Sequence, residues 1–541
     1  MLYLLPSSMV SPDSSNLRRH RMELPKIRNA SGITKQIATT FTGYNHTRYG
    51  NGQIWDCGNL SSAEYPLLVT RKQRRLIRTI ETPNGIIAHN GLWYVDGGGL
   101  YKDGVLKLSV DDSRKTLVIL GDYLCVFPDK KYIRFSNEET GSLEASWSGS
   151  VTVSDGTYAG EKAKANTITT TGTPFPFSVG DAIKLTGGIL EGEYPIIREI
   201  SEDKKTLRFY EDTFSLGEQT SVTISAATAV REVPDMDFVI EGENRLWGAK
   251  GGQIYASKLG DAKNWNVFDG LASDSFAVTL GSAGDITGAI RYMGYPCFFK
   301  ETEIYKVYGS RPSNFELMSS ASLGVQADSP KSLAIAGETL FYLSRPGIMS
   351  YSGGVPQLAS TAFGEETYTK AVGGSDGIKY YVSAHDGKRW NLFVLDTKSG
   401  IWYREDDLQV TDFVWDGDLY ALCEDGKIWA VGEVRNDVGE AEGAFPSFAE
   451  FGDFDEGSPN RKGVSKIQLR LEVISGELAV KISYDGGNWI PVRTLKASGK
   501  GSVYLPVIPQ RCDFFRIRFD GTGEWRMHSF VREVYGGSEL F

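Results

Sequence analysis

Long apolar runs are missing from this 541-residue chain. No stretch approaches the roughly 18 consecutive apolar residues of a membrane-spanning helix, so no helical membrane span is expected. The apolar opening Met1-Leu2-Tyr3-Leu4-Leu5 stops at Pro6 and its arginines follow it. A secretory signal has the reverse order and a longer apolar core, so a soluble chain without such a leader is expected. Cysteine is scarce. Cys57, Cys125, Cys297, Cys423 and Cys512 lie far apart with no CxxC pair. An odd, scattered set excludes a disulfide framework and predicts buried thiols in a reducing compartment. The five histidines (His20, His46, His89, His385, His528) show neither HxH nor HExxH spacing, so no metal site can be drawn from them. Walker A and dinucleotide glycine fingerprints are absent too, and no cofactor is expected.

Glycine and aromatic residues are plentiful instead. There are 61 glycines, well above the usual share of about 7%. Each costs a helix interior about 1 kcal/mol relative to alanine, and few windows of helix length escape one. With 12% aromatic residues and frequent glycine turns between β-branched runs, the chain reads as all-β. Charge is uneven. The net value is −10, but residues 1–82 carry 12 Lys/Arg against 5 Asp/Glu, leaving 46 against 63 for the remainder. A basic N-terminal region on an acidic body follows.

A doublet pattern repeats from residue 83 onward. Leu92-Trp93 is followed by Leu100-Tyr101, Leu246-Trp247 by Ile254-Tyr255, Cys297-Phe298 by Ile304-Tyr305, Leu340-Phe341 by Ile348-Met349, and Leu419-Tyr420 by Ile428-Trp429. Weaker copies occur at Tyr123-Leu124 and Tyr380-Tyr381. Two strands joined by a short glycine-containing turn produce this spacing. The last four repeats approach a period of about 40, the signature of a β-propeller blade, with an irregular β-sandwich of hairpins as the competing layout. One gap is far longer and marks an inserted domain, with strands at 182–185, 194–200 and 206–209. The end of the chain alternates with period two: Ile467, Leu469, Leu471 and Val473 against Lys466, Gln468, Arg470 and Glu472. One dry face and one wet face predict a sandwich. The expected layout is a propeller of six or seven blades with an inserted small β-barrel and a C-terminal β-sandwich. Its parts are an arm (1–40), propeller (41–147), insert (148–230), propeller (231–440), then an acidic linker and sandwich (441–541).

Motifs that carry chemistry are few. Gly373-Gly374-Ser375-Asp376-Gly377 fits G-x-S-x-G, but a strand follows where a nucleophile elbow needs a helix. Ser483-Tyr484-Asp485-Gly486-Gly487-Asn488-Trp489 reads as a turn between strands, and Trp415-Asp416 lacks the Gly-His partner of a WD40 blade. Asp453 to Gly457 starts like a calcium loop, but Val464 stands where the distal Glu belongs. No carboxylate pair can be singled out as acid and base, and no enzymatic activity is expected. The one charged cluster is Arg71, Lys72, Arg74, Arg75 and Arg78, a candidate subunit or phosphate contact. Its alternative is a positively charged strand edge.

Several strings resemble a family of β-propeller proteins of bacteriophage tails. They are Gly43-Tyr44-Asn45-His46, Asn59-Leu60-Ser61-Ser62, Tyr65-Pro66, Asn244-Arg245-Leu246-Trp247, Ile254-Tyr255-Ala256, Gly260-Asp261 with Asn264-Trp265, and Arg511-Cys512-Asp513-Phe514-Phe515-Arg516. The resemblance is one of layout more than of motif. It implies a role like that of the tail nozzle, or tail tubular protein B, of short-tailed phages. Such a protein would form a ring, usually of six copies, that continues the DNA channel below portal and adaptor. It implies as partners further copies of the chain, the adaptor and portal, other tail proteins, and double-stranded DNA in passage. It also implies a virion location after synthesis in the bacterial cytoplasm. The family has no catalytic motif to transfer. Two alternatives remain: a glycan-cleaving propeller enzyme, and a host-receptor-binding tail component.

Overall fold

The computed structural model describes residues 33–47, 50–157, 164–210, 213–435 and 438–536. Most of the expected arm, residues 1–32, lies outside the described residues. The chain is all-β, and its centre is a closed propeller of seven blades. Blades 1 to 6 are four-stranded antiparallel sheets spanning 83–109, 116–142, 238–279, 288–321, 334–358 and 370–404. Blade 7 takes three strands from 410–431 and its fourth, Arg75–Thr79, from near the start of the chain. That strand closes the ring by pairing next to Lys427–Val431.

The leading doublets lie on the second strands of the seven blades and the doublets that follow them lie on third strands, and packing explains them. In a strand, neighbouring side chains point to opposite faces, and a blade is covered on both. Trp93 and Val95 pack towards blade 2, while Tyr94 between them packs towards blade 7. Tyr342 faces blade 4 and Phe341 faces blade 6. Tyr380 faces blade 5 and Tyr381 faces blade 7. Each of the seven seams thereby has an apolar cluster, and the one between blades 5 and 6 runs on into the sandwich. Turns keep the strands in register. Asp103-Gly104 and Met293-Gly294 both hold positive φ at their two central positions, the geometry that matches strand twist in two-residue hairpins. At the closure, Gly426 must be glycine: its φ is +80° and a Cβ would stand 2.0 Å from the Ile80 carbonyl oxygen.

The inserted barrel runs from Ala145–Thr157 to Ser221–Arg231, between blades 2 and 3. Its six strands wrap a core of its own, including Trp147, Phe175, Phe177, Ile183, Leu207 and Phe209. Bonds from the Ile183 and Leu185 amides to the Pro195 and Glu193 carbonyls bring its two edges together.

The C-terminal sandwich differs from expectation in two places. Its sheet includes Thr34–Ala38, Asp56–Gly58, Leu60–Ser61 and Leu68–Thr70, so residues 34–70 belong to the sandwich and not to an arm or the propeller. These strands are two to five residues long, too short to show a period, and, apart from the pairing of Leu60–Ser61 with Leu68–Thr70, their partners lie hundreds of positions away. The acidic linker is also corrected, because Pro446–Phe454 is a strand. Its carboxylates are matched across the ladder: Glu450 meets Arg518 at 3.1 Å and Asp453 meets Arg516 at 2.5 Å. The Ser375 segment forms a hairpin between Lys370–Ser375 and Lys379–His385.

Candidate functional site

The basic segment turns out to be a joint within the molecule. Arg71 and Arg74 are buried. The Arg71 guanidinium donates to both oxygens of Glu442, at 3.0 and 2.7 Å, and to Asn59 Oδ1 at 2.7 Å, and it lies over the Phe445 ring. Arg74 donates to Asp406 Oδ2 at 2.6 Å and to Glu405 Oε2 at 2.7 Å. Glu405 and Asp406 belong to the connection from blade 6 to blade 7, and Glu442 precedes the sandwich strand Pro446–Phe454. Two arginines therefore tie three parts of the chain: the closing strand, the blade connection and the lead into the sandwich. Burial would raise the Asp406 carboxyl, but the charge and hydrogen bond of Arg74, with Arg71 behind, outweigh it and hold it below its ordinary value.

This corrects the expectation of a subunit or phosphate contact at Arg71 and Arg74, whose guanidinium groups are buried against carboxylates inside the fold. Lys72 is exposed and pairs with Glu524 at 2.6 Å. Arg75 is half-buried and partnered, and the exposed Arg78 lies 5.4 Å from the Tyr94 ring centre. A spacing rule sees the charges and not the carboxylates that meet them, which lie more than 300 residues downstream.

A second polar joint holds Tyr44, His46 and Trp55 against blades 5 and 6. Glu366 accepts from Tyr368 at 2.7 Å and from Tyr44 at 3.3 Å, and lies 3.1 Å from His46 Nδ1. His46 stacks on Trp55. Burial, and then Glu366, push both phenols upward, so they stay protonated as donors.

Open concave space lies where the inner strands of the blades begin. A cleft of about 360 Å³ is walled by the connections into blades 2, 5, 6 and 7. Arg114, Asp328, Lys331, Lys370, Trp390 and Glu424 line it, above Pro330, Ala371, Val372 and Val410. Arg114 Nη2 pairs with Glu424 at 2.7 Å, and Lys331 Nζ with Asp412 at 2.6 Å. A second space of about 250 Å³ continues along the inner strands and shares Pro330 and Lys331. No linear pattern marked these residues. Aligning the repeats would have placed 328–331, 370 and 409–411 at equivalent positions, each leading into the inner strand of a blade. Among the described residues no group of three or more His, Cys, Asp or Glu is placed to hold a metal ion. Carboxylates whose ionisation is displaced, such as Asp386 and Asp406, are displaced downward.

No protein-family profile and no curated protein matches the sequence. Solved structures similar to it include PorZ, a bacterial surface component of the type-IX secretion system of Porphyromonas gingivalis, at 11% identity and a TM-score of 0.25, over 85% of this chain and 78% of that one. An exo-β-1,3-galactanase of Phanerochaete chrysosporium aligns at 13% identity and 0.20, over 53% of this chain and 92% of its own. A structure described as a glycoside hydrolase aligns at 10% identity and 0.17, over 90% and 99%. The expectation that the chain is not an enzyme is corrected on the last two comparisons. Its physical weakness is plain: a glycosidase's carboxylate pair is assembled by folding and leaves no linear spacing to find. At such TM-scores the likeness assigns no activity to this chain.

Proposed function

We propose that the chain is a structural subunit of a bacteriophage tail. It assembles with copies of itself into a ring that continues the DNA channel below portal and adaptor. The family resemblance motivates this reading, and one geometric observation carries it. The inserted barrel is mounted between blades 2 and 3, while the sandwich is built onto blades 5 and 6, half a turn round the seven-bladed disc. Two different modules on opposite rims suit a head-to-tail contact, the kind that closes into rings when its rotation permits. The acidic balance beyond residue 82 suits a conduit wall, since a basic lumen would retain a polyanion through cumulative phosphate contacts.

The test is the mass and shape of the purified full-length protein, by light scattering and negative-stain microscopy. Closed rings that are lost when the barrel is removed support the reading. A monomer at every concentration, also in the presence of the adaptor, contradicts it.

A further inference from the structure

The cleft at the propeller mouth has the composition of a binding site, and neither the ring nor the joints use it. Its volume of about 360 Å³ is within the range of small-molecule pockets, which are apolar with a few placed polar groups. Its apolar floor comes from Pro330, Ala371, Val372 and Val410. On one side stands Trp390, whose indole packs against the His385 ring at 5.2 Å. Around these lie two ion pairs, Arg114 with Glu424 and Lys331 with Asp412, and two further charges, Lys370 and Asp328, both exposed. Blade connections supply Arg114, Asp328 and Lys331, strands supply Lys370, Trp390 and Asp412, and a hairpin turn supplies Glu424, so the strands of the blades fix much of their spacing.

Charge decides the class of ligand. The lining cations Arg114, Lys331 and Lys370 stand against Glu424 and Asp328, and Asp412 of the adjoining space pairs with Lys331, so with that carboxylate counted the cleft carries no surplus of either sign. A phosphate or nucleotide would meet two cations, Arg114 and Lys331, already paired with carboxylates. A neutral ligand rich in hydroxyl groups meets what it needs. Each half-exposed ion pair offers a donor and an acceptor side by side, which matches two adjacent hydroxyls, one accepting and one donating. An indole beside an apolar floor suits the C–H face of a sugar ring. We infer that the mouth cleft, with Trp390 and the Arg114–Glu424 and Lys331–Asp412 pairs, is a binding site for a neutral saccharide. The inference is independent of ring assembly.

The experiment uses the full-length protein with neutral trisaccharides of glucose, galactose and N-acetylglucosamine. A uronic-acid trisaccharide and inorganic phosphate serve as charged probes. Binding is read by saturation-transfer NMR and calorimetry. At least one neutral trisaccharide is expected to bind saturably and more tightly than either charged probe. Trp390→Ala is expected to weaken it tenfold or more. Glu424→Gln and Lys370→Ala, at exposed positions that leave melting unchanged, are each expected to weaken it several-fold, and they decide the matter if Trp390→Ala does not fold. Absence of saturable binding by every neutral trisaccharide overturns the inference. So does tighter binding of a charged probe, or an affinity unchanged in Glu424→Gln and Lys370→Ala. Retention of the protein on a polysaccharide of the same units, with no binding of the free trisaccharide, also overturns it by moving recognition to another surface.

Discussion

The barrel and the sandwich are attached to the same disc by opposite means. The barrel has a closed core of its own, and its link to the propeller is narrow. Arg231 reaches Asp181 at 2.5 Å and the Leu143 carbonyl, while Asn264 of blade 3 bonds Asp181 and the Ala182 amide. The sandwich has no separate core. Phe451, Phe519, Phe530 and Trp525 are continuous with Phe341, Tyr380, Phe393 and Trp402 of blades 5 and 6. Residues 41–58 fill the seam: the Tyr44 amide bonds the Trp402 carbonyl, the Trp55 amide bonds the Glu450 carbonyl, and Asp56 pairs with Arg404 at 3.0 Å. An insertion can come and go with its own core, whereas a module sharing a core must fold with its host.

The largest expected effect follows directly. Removing residues 446–536 exposes the apolar side of blades 5 and 6 and strips Thr34–Ala38 and Asp56–Gly58 of their partners. No soluble, cooperatively melting protein is expected. Excising the barrel by joining Glu144 to Glu232 through a short glycine linker is expected to leave a soluble propeller with one sharp transition. The ends permit this, because Ala145 and Arg231 are paired neighbours in the ladder. Insolubility of the second variant, or survival of the first, would break the contrast.

Next in size is the two-arginine joint. Arg74→Ala takes from buried Glu405 its near partner and leaves only Arg71 Nε, 3.8 Å away, and breaking such a pair costs about 3–5 kcal/mol. Chemical denaturation should show the loss at the whole-molecule transition. Arg231→Ala breaks a pair as deeply buried, but at the narrow link, so hydrogen exchange should rise in the barrel while blades 5 to 7 keep their protection. Replacing Arg71, Arg74 and Arg75 with glutamate therefore tests folding and not assembly.

Acid should act through the same joint. Asp406 is depressed in the folded state, so its contribution is fully present above the ordinary aspartate value of about 4 and is lost as pH falls through the lowered value. Melting temperature should drop between pH 5 and 2, and by less in Asp406→Asn. A parallel drop in both proteins would assign the acid sensitivity elsewhere. The smallest effect concerns the thiols. All five cysteines are free and buried, and burial pushes Cys297 and Cys512 up to about 11. A disulfide reagent should modify none of them before unfolding.

The same contrast explains what was legible in the sequence. Doublets such as Leu340-Phe341 and Leu419-Tyr420 betray the blades because a strand covered on both faces needs apolar residues in succession. The alternation from Ile467 to Val473 betrays a sheet dry on one side. The closing strand Arg75–Thr79 was hidden because it lies towards the outer side of its blade and is half-exposed, so its arginines outweighed Leu76 and Ile77. The strand Pro446–Phe454 was hidden by carboxylates whose arginines sit on another strand. The mouth cleft draws its residues from separated stretches (Arg114, then 327–331, 370–390 and 409–424), and no linear motif can carry such a set.

The account rests most heavily on the use of the two opposed modules in assembly. A reconstruction of the assembled protein, in the particle or as purified rings, tests this most directly. The account predicts a closed ring in which the barrel of one subunit meets the sandwich side of the next, with the propeller mouths left open. Subunits joined by identical faces as two-fold dimers, or a ring in which barrel and sandwich both point away from every neighbour, would contradict it.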